Sequence, residues 1–317
     1  MNAIALMGKI LGRGEESNHG QSDRNPAFSS GWNEVISLLD RQPVVALEAN
    51  PIEAALRNSL LHDRFFLEYQ PIFNLAGRVI EAEALLRSHE PLLQKIGPSA
   101  YIPVAEETNL ILPVGERVLR MACASLAEWR GLGLDDVTVA VNVSCTQLVS
   151  PGFAELALRL FEKHQVLASA IHMEVTETLL PHDTSSMLAQ MTMLVEAGIC
   201  FSIDDFGTGY STLERLSRLP ITTMKIDQSF VREINSNGRM FHIIRGMVDL
   251  ARHLGMDVIA EGVETEEQFE LLRAVGCERF QGYLFSRPLG ATRIRELLIA
   301  NRSPVPPEQL LPRAVGY

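Results

Sequence analysis

Glu83, Asn142, Glu174, the adjacent pair Asp204 and Asp205, Lys225, Glu261 and Gln281 each stand at or near the C-terminal end of a short apolar run. The runs read VIEAEALL, VTVAVNVS, IHMEVTE, CFSIDDFG, TTMKID, DVIAEG and RFQG. Most of these side chains are carboxylates. Carboxylates brought together repel one another and persist only where something cationic sits between them. For a set made of oxygen ligands the simplest such partner is a pair of hard divalent ions, Mg2+ or Mn2+. A lysine among so many carboxylates keeps its proton, which favours an electrostatic role for Lys225 over that of a base.

Each run is preceded by a segment long enough for a helix. One polar group at the end of each of many successive βα units is how a (β/α)8 barrel builds an active site. The chain has 317 residues, enough for one such barrel of about 250 residues with appendages. Pro51 suits the first position of a helix running to Leu61. FFLEYQPIF then reads as a strand, and only Leu75-Ala76-Gly77 separate it from VIEAEALL. So short a link makes a hairpin and not a crossover, so the first two strands are expected to be antiparallel. The fold class expected is therefore α/β, a TIM-like (β/α)8 barrel with one antiparallel strand. Helical patterns follow near Ala100–Thr108 and Pro113–Trp129, a last strand at Arg279–Gln281 and a closing helix near Thr292–Ala300. Residues 1–50 read as a flexible leader, with one possible short helix at Trp32–Leu39, 51–300 as the barrel and 301–317 as a Pro-rich tail.

The bulk properties exclude several classes. A net charge of −11 argues against tracking along a polymeric nucleic acid, although metal ions can still admit a small anion. Cys123, Cys145, Cys200 and Cys277 are far apart, form no CxxC pair and read as reduced core or near-core thiols of a cytoplasmic protein. The eight histidines show no HExxH or HxxxH spacing, so zinc is not expected. No apolar stretch reaches membrane-spanning length, and MNAIALMGKIL lacks the pattern of a signal peptide.

Seven strings in order, EALLR (83–87), VNVS (141–144), EVTE (174–177), DDFGTGYSTL (204–213), KID (225–227), AEGVET (260–265) and QGYLFSRPL (281–289), resemble the EAL-domain phosphodiesterases of cyclic dimeric GMP. The likeness runs from about Leu56 to Leu289. It implies hydrolysis of one phosphodiester bond of the cyclic dinucleotide to linear pGpG in bacterial signalling, dependent on two Mg2+ or Mn2+ ions. It also implies roles. Glu83, Asn142, Glu174 and Asp204 would hold the first ion, with Asp204 bridging and Asp205 on the second. Glu261 would position or deprotonate the attacking water, directly or as a ligand of the second ion. Lys225 would hydrogen-bond that water, and Gln281 would orient a neighbouring water or ligand. Glu177 would tie down the loop after the Asp pair. Arg87 and Gln70 would contact the substrate, an Arg fork suiting a phosphate and Gln a guanine edge.

Plainer readings stand beside these. A strand-end acid is often a helix cap or surface charge, and Glu264 reads as a cap of the next helix. Tyr283 reads as packing, and Cys145 as a small packed residue. Ser88 replaces a Trp common in the family, a change expected to alter the substrate rim. The alternative function is a catalytically weak or silent EAL domain serving as a cyclic dimeric GMP receptor or protein-interaction module; the complete ligand set favours the enzyme. The family likeness implies a homodimer through roughly Ser211–Leu219. The stretch ahead of the barrel looks too short for a sensory domain, so control is expected through the leader, oligomerisation or a regulatory protein partner.

Overall fold

The computed structural model describes residues 50–176, 185–208 and 216–302. Helix α1 (Pro51–Leu61) starts where Asn50 accepts a hydrogen bond from the Ile52 amide at 3.0 Å and Pro51 occupies the first turn. Both residues suit that end, since Asn caps an orphan amide and Pro has none to lose. Strands β1 (Phe65–Asn74) and β2 (Val79–Ser88) form the expected hairpin, antiparallel with Gln70 opposite Glu83. Asn74 makes the turn: its side-chain oxygen accepts from the amides of Ala76 and Arg78, each at 3.0 Å.

Helices α2 (Pro91–Ile96), α3 (Pro98–Glu107) and α4 (Ile111–Gly131) follow. The last two meet the expected patterns within two residues at their starts and ends. The single turn and a half of α2 was not expected; six residues are too few to show a period. Then come β3 (Thr138–Asn142), α5 (Cys145–Val149), α6 (Phe153–His164), β4 (Ile171–Thr176), α7 (Ser185–Glu196), β5 (Cys200–Phe206) and β6 (Ile221–Ile226). The chain continues with α8 (Gln228–Glu233), α9 (Gly238–His253), β7 (Asp257–Ala260), α10 (Glu266–Ala274), β8 (Arg279–Phe280), β9 (Leu289–Gly290) and α11 (Ala291–Ala300).

Strands β2 to β8 pair in chain order, all parallel, and β1 closes the circle by pairing antiparallel with both β2 and β8. This is an eight-stranded closed barrel; the two-residue β9 pairs with Glu68 and Tyr69 of β1, on the edge that β8 uses lower down. Closure leaves few free edges and puts alternate side chains inside. Outward residues such as Leu67, Tyr69, Val139, Val141, Met173, Val175, Met224 and Ile226 are buried under the helix layer. Tyr69 packs edge-on against Trp129 and donates to Ser125 Oγ at 2.7 Å, both on α4. Because β1 runs the opposite way, its N-terminal half lies at the mouth where the other strands end. Among the described residues no helix is long and apolar enough to cross a membrane.

Asn301, near the end of the described residues, clamps the first hairpin. Asn301 is buried; its side chain accepts from the Val79 amide at 2.7 Å and donates to the Gly77 carbonyl at 2.9 Å. Asn301→Ala would leave both backbone groups unpaired in a dry setting. We expect a loss of about 1–3 kcal/mol, seen as a lower urea midpoint at unchanged slope. An unaltered midpoint would show that water replaces the clamp without cost.

Candidate active site

Strand direction delivers the polar residues to one end. Inward positions alternate along each strand, so Glu81 and Glu83 on β2, His172 and Glu174 on β4, and Thr223 and Lys225 on β6 form successive levels inside the barrel. The lower level holds a pair between part-buried His172 and buried Glu81, Nδ1 to Oε1 at 2.9 Å. The upper level, at the mouth, is the candidate site.

Lys225 is its centre. The side chain is fully buried, with Nζ 2.7 Å from both Glu174 Oε2 and Glu261 Oε1, 3.5 Å from Asp204 Oδ1 and 3.6 Å from Glu83 Oε2. The outer carboxylate is tethered in turn. Asn142 Nδ2 donates to Glu83 Oε1 at 2.9 Å, and Gln281 Nε2 to Glu83 Oε2 at 2.7 Å. Seven strands or strand ends, β2 to β8, thus contribute to one polar cluster.

Asp204 and Asp205 reach the same place by a backbone device. Adjacent strand residues face opposite ways. Here Asp205 adopts a left-handed backbone, φ +55°, and its amide donates to Asp204 Oδ1 at 2.9 Å. That conformation is one that Asp tolerates better than most L-residues. As a result Asp204, Asp205 and Glu261 each bring a carboxylate oxygen within 4.8 Å of the other two.

One ammonium cannot balance this many buried carboxylates, and the proton affinities show it. Burial alone would depress Lys225, yet Asp204, Glu174, Glu261 and Glu83 hold it well above the usual lysine range, so it is charged. Burial pushes Glu174 well above the usual carboxylate range; Lys225 opposes this, while Glu83 and Asp204 add to it. Burial likewise lifts Glu261 to about 8 against the pull of Lys225, and lifts Asp205 with help from Asp204. Glu83 goes the other way. Burial would raise it, but Lys225 and the hydrogen bonds from Gln281 and Asn142 outweigh burial and lower it. The cluster therefore offers more carboxylates than its own cation can keep ionised. Glu174 Oε1 and Gln281 Oε1 are buried with no hydrogen-bond partner. Carboxylates in excess of the one lysine, together with an orphaned carboxylate oxygen, are what a site for added hard cations offers.

Beside the cluster lies a cavity of about 240 Å³ lined by Gln70, Glu83, Gln228, Glu261, Gly262, Glu264, Gln281, Gly282 and Tyr283. Gly282 is required by contact, since a Cβ there would stand 2.1 Å from the Val263 carbonyl oxygen. Gly262 has φ +65°, and a Cβ there would meet Gln228 Cβ at 2.4 Å.

Most of the residues picked out in the sequence come together here: Gln70, Glu83, Asn142, Glu174, Asp204, Asp205, Lys225, Glu261 and Gln281. Arg87 is not among the cavity residues. It lies farther out on β2 and its Nε donates to Glu68 Oε2 at 2.8 Å. Glu177 and residues 209–215 lie outside the described residues, and with them most of the Ser211–Leu219 segment; so do Trp32–Leu39 and all of the expected Pro-rich tail after Arg302, whose first residue, Asn301, is buried against the first hairpin instead. Two plainer readings change. Tyr283 is 49% exposed with the Arg287 guanidinium 4.3 Å over its ring, so it is a rim residue and not packing. Glu264 lines the cavity, and the cap of α10 is Thr265, in a reciprocal capping box with Gln268. Ser88 does not shape the rim: it is buried, facing outward, with its hydroxyl 3.0 Å from that of Ser59 on α1. Cys145 is buried as expected, and burial pushes its thiol up to about 11. Gln228 and Glu68 escaped the sequence reading; the only signals were that Gln228 follows KID and that Glu68 lies inside the strand FFLEYQPIF.

The EAL domain model matches residues 53–288. The uncharacterised protein Rv1354c of Mycobacterium tuberculosis is 40% identical over 257 residues, 80% of this chain and 41% of that protein. Cyclic di-GMP phosphodiesterase PA2567 of Pseudomonas aeruginosa is 38% identical over 235 residues, 74% of this chain and 40% of that protein. Among solved structures, the PaMucR phosphodiesterase in complex with c-di-GMP superposes with a TM-score of 0.72 at 37% identity, covering 77% of this chain and 99% of that one. The chain thus spans about two-fifths of the length of these two relatives.

The charge balance makes Lys225 testable apart from any reaction. Lys225→Met should destabilise the fold by about 3–5 kcal/mol, because it strands buried carboxylates without their cation. Adding Glu174→Gln should restore part of that loss. Urea melts would check both; a Lys225→Met protein as stable as the parent would mean the carboxylates are solvated.

Proposed function

The chain belongs to the EAL domain family, and from that premise we propose that it hydrolyses cyclic dimeric GMP to linear pGpG with the help of two divalent ions, Mg2+ or Mn2+. The observation that carries the proposal is the oxygen-ligand cluster around Lys225 at the barrel mouth, complete at every position and with more carboxylates than its one lysine can keep ionised. Its position beside a concave cavity fits where such barrels do their chemistry.

In this reading Glu83, Asn142, Glu174 and Asp204 would hold one ion, and Asp204, Asp205 and Glu261 would hold the other. When bound, such ions neutralise an anionic diester and make water nucleophilic at neutral pH. The protein's own groups do the rest. Glu261, whose affinity for a proton is raised, lies beside the cavity and is placed to orient and deprotonate the attacking water. Lys225 stays charged, fixes Glu174 and Glu261, and offsets charge that builds on the phosphoryl oxygens. Gln281 and Asn142 hold Glu83 at a fixed angle from two sides. Gln70, on the inward face opposite Glu83, offers a polar edge to a base, and Arg87 offers a fork to a phosphate. We assign the working site to 51–300, and propose that the protein acts as a homodimer in the cytoplasm under a regulatory input. Sedimentation at several concentrations, with activity read on the same samples, would test the dimer.

Two experiments test the chemistry. Purified protein with cyclic dimeric GMP and Mg2+ or Mn2+ should yield pGpG on a chromatogram, excess chelator should abolish turnover, and Ca2+ should inhibit it. Full activity in chelator would sink the two-ion reading. Separately, Glu83→Ala should lower turnover by about two or more orders of magnitude, whereas Glu261→Gln should lower turnover and leave binding of the dinucleotide largely intact. Normal hydrolysis by Glu83→Ala would show the assignment fails at its first ligand.

A further inference from the structure

Arg87 is not free. On the inward face of the β1–β2 hairpin, Phe66 stands opposite Arg87, Glu68 opposite Leu85 and Gln70 opposite Glu83. Glu68 therefore lies at the mouth between the two residues assigned to the substrate. Its carboxylate takes Arg87 Nε at 2.8 Å, with the two side chains 28% and 33% exposed for Arg87 and Glu68. Arg87 Nη1 donates to its neighbour's carbonyl, Leu86 O, at 3.0 Å. That carbonyl is backbone, and it also accepts from the hydroxyl of buried Tyr101 at 3.3 Å.

A guanidinium captures a phosphate through two N–H groups on one edge, either Nε with an Nη or the two Nη together. Glu68 occupies the Nε member of the first edge. Nη1, a member of the second, is shared with the Leu86 carbonyl. A carbonyl held by the strand and by Tyr101 cannot move aside. A carboxylate on a side chain one-third exposed can. Any phosphodiester that engages Arg87 through the Nε edge must therefore displace Glu68, and the displaced carboxylate then repels the incoming anion at short range.

We propose that Glu68 is an intramolecular competitor for the substrate phosphate, a positioning residue that weakens substrate affinity by acting through Arg87. This rests on the reading of Arg87 as a phosphate contact for cyclic dimeric GMP. An ion pair this exposed is worth little, so the effect should be modest.

The test is a two-residue cycle read as KM against kcat, and as the dissociation constant of cyclic dimeric GMP with Ca2+ in place of Mg2+ so that the diester stays intact. Glu68→Gln keeps the shape and removes the charge. We expect it to tighten KM and the dissociation constant about two- to five-fold, with the change on KM and not on kcat. Arg87→Ala should weaken both. In the Arg87→Ala background, Glu68→Gln should have no further effect, because its competitor role needs the guanidinium. Weaker or equal binding by Glu68→Gln in a protein that does bind the dinucleotide overturns this inference alone, and would make Glu68 a brace that holds Arg87 aimed. Gain of the same size with and without Arg87 also overturns it, leaving only long-range charge. A parent protein that neither binds nor cuts cyclic dimeric GMP overturns the functional reading and this inference together.

Discussion

The site is organised by one buried ammonium facing too many carboxylates. Lys225 comes from the middle of the sheet, on β6, and its partners come from β2, β4, β5 and the end of β7. β5 and β7 flank β6, but β2 and β4 do not, so Glu83 and Glu174 reach Lys225 across the interior only because the sheet curls into a barrel; the ion cluster and the fold are mutually dependent. Burial makes each interaction strong and makes each unpaired charge expensive. The imbalance, visible in the raised proton affinities of Glu174, Glu261 and Asp205, is a stability cost. Such a cost is tolerated where binding of a cation or a proton is the purpose of the place.

The reversed first strand has its own consequence. In a barrel of parallel strands, each contributes only its C-terminal end to the mouth. Here β1 contributes its N-terminal half instead, which places Phe66, Glu68 and Gln70 between the end of β2 and β9. The hairpin therefore supplies both a polar residue of the cavity wall, Gln70, and the acidic neighbour of Arg87. Its turn is held by Asn74 within the hairpin and by Asn301 from the far end of the chain.

The familiar strings divide, once seen in three dimensions, into chemistry and carpentry. In VNVS, Asn142 reaches Glu83, whereas Ser144 caps α5 in a reciprocal box with Gln147. In KID, Lys225 holds the cluster while Asp227 caps α8 by accepting from the Ser229 amide at 3.0 Å. In AEGVET, Glu261 belongs to the site and Thr265 caps α10. In QGYLFSRPL, Gln281 tethers Glu83 and Gly282 lets the chain pass against Val263. Caps adjoin the site because each strand must stop, expose its last side chain and start a helix within a few residues.

The linear sequence determined the alternation of strands and helices, the hairpin at Leu75–Gly77, the start of α1 at Pro51 and the identity of the polar strand ends. These are local matters, governed by hydrophobic period, turn chemistry and capping, which act over a few residues. It also placed Lys225 inward, since Met224 and Ile226 on either side are apolar and a strand alternates. The short α2, six residues long, gave no period to read. Tertiary structure alone decided which charge meets which: that four carboxylates share Lys225, that Asp205 turns back through a left-handed backbone, that Glu68 holds Arg87, that Ser88 turns outward to Ser59, and that Tyr283 stands on the rim under Arg287. Such pairings depend on the stagger and tilt accumulated around the closed sheet and on loops crossing between strands. No window of neighbouring residues contains that sum.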